Sequence, residues 1–285
     1  MICSGFLEEI NLLRQLQGED RVIRLYDYEK VDTVEEELLY VVMEKGDTDL
    51  AGLIKKYTIN KEITPAMIKF YWSEMLHAVA VVHKRGVIHK DLKPANFMLV
   101  AGRLKLIDFG IASSIQSDKT SIVIENAVGT FNYMSPETCQ DLNGPQGQRR
   151  VKIGFKTDVW SLGCILYQLT YGKLPFADIK FPLLKLQAIT NNDHQIPFPE
   201  LRDVDPRLVV VIKSCLERDV RRRASVEDLL THSFLKEETV ATPAPVNNPA
   251  VNSLKMLEAL EGVLSPNTFK KTKEGFRLVS QSKTE

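Results

Sequence analysis

A chain of 285 residues, 44% of them hydrophobic, is long enough for a sizeable core and holds one large domain or two modest ones. Lys and Arg together number 37 and Asp and Glu also number 37, so no overall charge draws the molecule to nucleic acid or an anionic membrane, and neither is expected as a partner. The four scattered cysteines (Cys3, Cys139, Cys164, Cys215) form no Cys-x-x-Cys pair, which argues against a metal cluster and fits small buried thiols in a reducing compartment.

The longest apolar run, near Leu38–Met43, is strand-sized rather than membrane-spanning. The first residues carry Glu8 and Glu9 and lack a basic region before an apolar core, so no secretory signal is expected. Phe6, Ile10, Leu13 and Leu16 recur at helical spacing and predict an amphipathic helix over 6–16. Strands are predicted over Arg21–Glu29 and Glu37–Met43, and Glu44-Lys45-Gly46 interrupts the second apolar run as a connector. Thr64-Pro65 has the cap-then-proline form of a helix start, and Gly86 ends that helix. Met67, Ile68, Tyr71, Trp72, Met75, Leu76 and Val79 make its buried stripe.

Next comes His89-Lys90-Asp91-Leu92-Lys93-Pro94-Ala95-Asn96, followed by Phe97–Val100, a Gly102 turn, Leu104–Ile107 and Asp108-Phe109-Gly110. The two apolar runs read as a hairpin that brings Asn96 and Asp108 together over one metal. The residue types suit phosphoryl transfer: Asp91 accepts the proton of an attacking hydroxyl, and Lys93 offsets charge on the moving group. Asn96 and Asp108 offer the oxygens that hard Mg²⁺ prefers beside waters and phosphates. A lone Asp-Phe-Gly is weak, but the ordered set in a strand–turn–strand context is specific.

Residues 111–134 are rich in Ser, Thr and Asn, a long loop of the functional or disordered kind. Residues 140–156 read as a polar, locally basic insert. Asp158 is expected to cap a helix running to about Tyr171 and ended by Gly172, with further helices near 180–191, 206–217 and 225–231. Thr239–Asn252 has linker composition, and an amphipathic helix over Ser253–Leu264 precedes a basic tail. A short mixed front, a mostly helical body and an appended tail predict an α+β fold.

Together these stretches resemble the eukaryotic protein kinases from their C helix onward. The resemblance implies a kinase-like fold with a truncated small lobe (C helix and two or three strands) and a mainly α-helical large lobe. Its expected extents are 1–46 for the partial small lobe and hinge, 47–236 for the large lobe, 237–252 for a linker and 253–285 for a C-terminal extension. It makes Glu9 the C-helix glutamate, Met43 the guard of the adenine pocket, Glu44-Lys45-Gly46 the adenine-binding hinge and Met98 the pocket floor. It also implies a buried Glu137–Arg223 ion pair, a bracing role for Asp158 beneath the catalytic loop, and a peptide-side segment at Val128-Gly129-Thr130. Ile23–Glu29, Asp91–Phe97, Leu104–Ala112, Val128–Met134 and Ser265-Pro266-Asn267 look like the dual-specificity monopolar-spindle kinases of the TTK type, with a likeness over about residues 6 to 275. That family implies transfer of the ATP γ-phosphate to Ser, Thr and Tyr of protein substrates with Mg²⁺. It implies kinetochore and checkpoint partners, and a place in nucleus and cytoplasm and on the mitotic spindle.

Two departures stand out. No Gly-rich loop precedes the hinge, and the first lysine is Lys30, so the strand-three lysine that would pair with Glu9 is missing. A truncated product, alternative isoform or incomplete gene model is expected, with an uncovered edge on the 21–43 strands. Lys90 replaces the usual arginine and offers a point charge instead of a bidentate fork, so control by an activation-loop phosphate is expected to be looser. Thr120, Ser121 and Thr130 are candidate phosphosites. The leading reading is a protein kinase; the alternative is an impaired kinase lobe that serves as a docking module. A P-loop hydrolase is excluded, since no Gly-x-x-x-x-Gly-Lys-Ser/Thr stretch occurs.

Overall fold

The computed structural model describes residues 2–32, 37–60, 62–109, 130–143, 153–201 and 204–236. It divides into compact units 1–237 and 238–285, and the second, with the predicted linker, terminal helix and basic tail, lies outside the described residues. So do Gly110 to Gly129, hence Thr120 and Ser121, and residues 144–152 of the predicted polar insert.

Helix α1 (Ile2–Gln15) starts earlier than its apolar spacing predicts and buries Ile10 and Leu13, with Leu16 buried just beyond its end. The predicted strand over 21–29 is corrected to β1 (Leu25–Asp32), which pairs antiparallel with β2 (Glu37–Met43), Tyr28 opposite Val41. Its first residues leave that ribbon because Val22 and Ile23 are buried elsewhere, in a parallel bridge from Val22 to Leu106. Tyr26, Tyr40, Val42 and Met43 remain exposed on the ribbon.

A second sheet joins β3 (Thr48–Asp49), β4 (Phe97–Val100) and β5 (Arg103–Leu106), all antiparallel. Its hairpin turns at Ala101 and Gly102, with φ of 48° and 79°, the two left-handed positions that a tight two-residue turn requires.

The rest is helical. Helix α2 (Leu50–Asn60), absent from the expectations, begins where Asp49 Oδ1 accepts from Gly52 N at 2.7 Å, and it buries Leu50, Leu53 and Ile54. Helix α3 (Pro65–Lys84) is capped by Thr64, whose side chain accepts from Met67 N, and Gly86 turns the chain away with φ 75°. Its predicted stripe is buried from Ile68 through Val79, with Met67 partly so. Helix α4 (Pro136–Asn143) occupies the front of the predicted polar insert.

Helix α5 (Lys156–Tyr171) is the central rod of the core and ends at left-handed Gly172. Trp160, Leu162, Ile165, Leu166 and Tyr167 are all inaccessible on it, and each such Leu or Ile contributes roughly 1.5–3 kcal/mol. Asp158 is not its cap: Phe155 holds that position, and Asp158 lies inside the first turn with its carboxylate directed elsewhere. Helices α6 (Pro182–Thr190), α7 (Pro206–Cys215) and α8 (Val226–Thr231) complete the body. At Gly163 an added Cβ would lie 2.5 Å from Cys215 Cβ, so α5 and α7 touch backbone to side chain.

Glu137 and Arg223 form the expected buried pair, at 2.8 and 3.0 Å. Burial raises the Glu137 carboxyl, but the Arg223 guanidinium outweighs it and holds the group below the usual range. Cys139, Cys164 and Cys215 are buried free thiols, each pushed up by burial, Cys139 and Cys215 to about 12. No helix among the described residues is long and apolar enough to cross a membrane.

Candidate active site

The loop from Val87 to Asn96 has its geometry set from below by Asp158. That carboxylate, fully buried, accepts from the backbone N–H of His89 and of Lys90, both at 2.9 Å, and meets His83 Nε2 at 2.7 Å. Lys90 is one of two described non-glycine residues with positive φ (70°), a conformation that costs on the order of 1 kcal/mol or more and is held here by the Asp158 bond. His89 is buried against the Phe109 ring, centroids 5.3 Å apart, and neither ring nitrogen has a hydrogen-bond partner among the described residues. Burial holds its pKa low against the opposing pull of Asp158, Asp108 and Asp91, so it packs as a neutral ring.

Above this base, Pro94–Asn96 makes one 3-10 turn. Lys93 Nζ donates to Asp91 Oδ2 at 2.6 Å, and Asn96 Nδ2 donates to the Asp91 carbonyl at 2.9 Å. The second bond orients the Asn96 amide so that its oxygen is the atom offered to a cation. Ile107 N donates to the Asn96 carbonyl at 3.1 Å, which draws the end of the hairpin, and with it Asp108, to Asn96.

Glu9, whose usual lysine partner this sequence lacks, meets an acid instead. Its half-buried carboxyl hydrogen-bonds the Asp108 side chain and the Phe109 backbone N–H, and its pKa is pushed up to about 7. Burial is the largest cause, followed by the charge of Asp108 and the bond to it, with Asp91 adding to the same sign. Two carboxyls in contact, with Asp91 adding to the shift, favour the protonated form of one of them. No group of three or more His, Cys, Asp or Glu poised for a metal occurs among the described residues. The Asn96 and Asp108 oxygens instead fit the sparse donor set of Mg²⁺, which keeps waters and phosphates as its other ligands.

At the connector, Glu44 N donates to Arg24 O at 2.8 Å, and Lys105 Nζ grips the Glu44 carboxylate at 3.0 and 2.7 Å. Lys105 holds that carboxyl below its usual range, helped by the Arg24 N–H and opposed by burial. Gly46 lies on Met98: a Cβ there would meet Met98 Cγ at 2.1 Å, so this contact demands glycine. Lys45 is exposed, and Met43, 41% exposed, does not fill a core.

The face next to Pro94 is built by side chains of α5 and α6 on residues 132 and 133. Ser161 Oγ donates to Tyr133 O at 2.8 Å, Tyr133 Oη donates to Gln168 Oε1 at 3.0 Å, and Lys185 Nζ donates to Asn132 Oδ1 at 2.6 Å. A groove of about 270 Å³ runs between Ile54, Lys55, Pro94, Tyr133, Gln168 and Gly172. Thr130 opens the 3-10 turn Thr130–Asn132, and its side chain lies outside the described residues.

The motif reading singled out Asp91, Lys93, Asn96 and Asp108; hydrogen bonds tie the first three together, and Asp108 follows Ile107, which bonds Asn96. It missed the Glu44–Lys105 pair, whose partners are 61 residues apart, and the pair of Arg21 with Glu74, 53 apart. Composition carries no signal for either.

The model of the protein kinase domain family matches residues 2–235. The chain is 47% identical over 250 residues to the serine/threonine-protein kinase mph1 of Schizosaccharomyces pombe, an alignment covering 81% of this chain and 36% of that protein. It is 44% identical over 276 residues to the dual specificity protein kinase TTK of Mus musculus, covering 94% and 31% respectively. With the serine/threonine-protein kinase MPS1 of Saccharomyces cerevisiae the identity is 40% over 243 residues, covering 82% and 31%. The chain spans about a third of the length of these curated relatives.

Proposed function

The chain belongs to the protein kinase domain family, and from that premise we propose that it transfers the γ-phosphate of ATP to Ser, Thr and Tyr hydroxyls of protein substrates, with Mg²⁺. The observation that carries this reading is the Asp91–Lys93–Asn96 cluster, with Lys93 Nζ on Asp91 Oδ2 at 2.6 Å and Asn96 tied to the Asp91 carbonyl at 2.9 Å.

Asp91 accepts the proton of the attacking hydroxyl, which its carboxylate also orients. Lys93, already at that carboxylate, places one positive charge where negative charge develops on the transferred group. Asn96 and Asp108 would hold the metal ion, whose charge when bound would offset that of the phosphates. Met98, seated under Gly46, forms the floor for the adenine ring, and the backbone of Glu44 to Gly46 supplies its hydrogen bonds. The 2.7 Å grip of Lys105 on Glu44 keeps that backbone in place. Protein substrates lie along the Tyr133 face.

The likeness to monopolar-spindle kinases over most of the chain supports a finer reading. In it the protein acts with kinetochore and checkpoint proteins in the spindle assembly checkpoint, in nucleus and cytoplasm and on the spindle. Its substrates there are threonines, serines and tyrosines of those partners, and Thr120, Ser121 and Thr130 are its own phosphosites.

The test is phosphate transfer from labelled ATP with Mg²⁺ to a generic basic protein, with Asp91→Asn as control. Removal of the base is expected to lower the rate by at least about 100-fold. Transfer that persists unchanged in the control, or is absent from folded wild-type protein, overturns the reading.

A further inference from the structure

We propose that Arg21 and Glu74 are positioning residues for the Asp108 end of the site, acting as a buried lock on the register of β5. The proposal deepens the kinase reading and rests on it for the role of Asp108. Arg21 is 6% exposed and Glu74, in the middle of α3, is 5% exposed. The contact is bidentate: Arg21 Nη2 donates to Glu74 Oε1 at 3.0 Å and Nη1 donates to Oε2. Exposed Arg103 adds a long third contact at 3.5 Å. Burial raises the Glu74 carboxyl, but Arg21 and the Leu104 N–H outweigh it and keep it ionised.

A charge pair at this place is not needed to fill the core. Taking two ions out of water costs several kcal/mol, and apolar side chains of the same volume often serve stability as well or better. What the ions supply is direction, and their remaining bonds all point at one strand. Leu104 N donates to Glu74 Oε2 at 3.0 Å, and Arg21 Nη1 reaches the Leu104 carbonyl at 3.5 Å. The backbone of the same segment continues the pattern: Leu106 N donates to Arg21 O and Ile23 N donates to Leu106 O, both at 2.9 Å.

The edge of β5 away from β4 is thus filled by residues 21–23 and by one helix carboxylate. Asp108 follows Leu106 by two residues, and Ile107 is bonded to Asn96. A slip of one residue in β5 would carry Asp108 about 3.3 Å and reverse its face, separating it from Asn96 and Glu9 together.

The experiment compares wild type with the double swap Arg21→Met/Glu74→Leu, which keeps the volume and removes the directed bonds. Amide hydrogen exchange of peptides spanning 97–109 is read in the protein without nucleotide. Loss of the lock is expected to speed exchange at Leu104 and Leu106 about tenfold while amides of α5 stay protected and the melting temperature is held. The Mg²⁺ concentration for half-maximal nucleotide use should rise about tenfold, with a smaller change in the rate at saturation. Unchanged exchange in a swap that melts like wild type overturns the proposal. Should the swap not fold, the wild type decides: the amides of Leu104 and Leu106 are expected to exchange at least about tenfold more slowly than those of the Ala101–Gly102 turn, and equal rates overturn the proposal. Faster exchange in a protein whose wild type uses no Mg²⁺–nucleotide would sustain the lock and sink the kinase reading alone.

Discussion

Replacing Glu9 with Gln should flatten the dependence of stability on pH in one defined window. The Glu9 carboxyl lies against Asp108 and is pushed from 4.5 up to about 7 by burial first and the Asp108 charge second. A carboxyl with a raised pKa binds a proton in the folded state that the unfolded chain has released. Its contribution is therefore greatest at the acid end and is lost as pH rises from 4.5 to about 7, above which the full penalty persists. A shift of that size would be worth about 3 kcal/mol in a dry site, and solvent screening at this half-buried position reduces it to about 1–2 kcal/mol. Glu44, Glu74 and Glu137 have lowered pKa values, so their stability changes fall in more acid solution, below their ordinary 4.5, and do not overlap. Urea midpoints measured every half unit from pH 5 to 8 make the assay. Wild type should lose about 1–2 kcal/mol more than Glu9→Gln across that span. Parallel curves for the two proteins would refute the placement of Glu9 on Asp108.

Glu137→Gln leaves the buried Arg223 charge without its counter-ion and should cost about 3–5 kcal/mol in urea unfolding, whereas Arg223→Met with Glu137→Leu should recover most of that loss. Gly163→Ala places a Cβ 2.5 Å from Cys215 Cβ and should destabilise by about 1–3 kcal/mol; adding Cys215→Gly should relieve the clash, and a wild-type melting temperature for Gly163→Ala would contradict the α5–α7 contact.

Local patterns in the chain were enough for the hairpin over 97–106, for the Thr64-Pro65 start of α3 and for the stop at Gly172. Each depends on a few neighbouring residues whose backbone preferences are strong: positive φ at Gly102 and Gly172, a side-chain cap with proline behind it at Thr64. The Asp91, Lys93, Asn96 and Asp108 set was legible for the same reason, since one turn and one hairpin are all that join its members. Helix α2 was hidden because its buried face is short, Leu50, Leu53 and Ile54 alone, and carries no longer apolar periodicity. Arg21 to Ile23 read as the start of a strand because alternation cannot tell which strand an apolar pair will join; burial of Val22 and Ile23 against β5 decided it. Local spacing read Asp158 as a cap because an acid at a helix start usually is one; the brace beneath the loop, which the kinase resemblance implied, is what its oxygens provide, facing His83, His89 and Lys90. Glu9 was recognisable as a helix glutamate, but its neighbour was not. The sequence by itself determined the chemical groups and the short-range turns that present them. Tertiary structure decided which buried charge meets which partner, because pairs such as Arg21 with Glu74, 53 residues apart, exist through packing of whole elements and leave no trace in local periodicity.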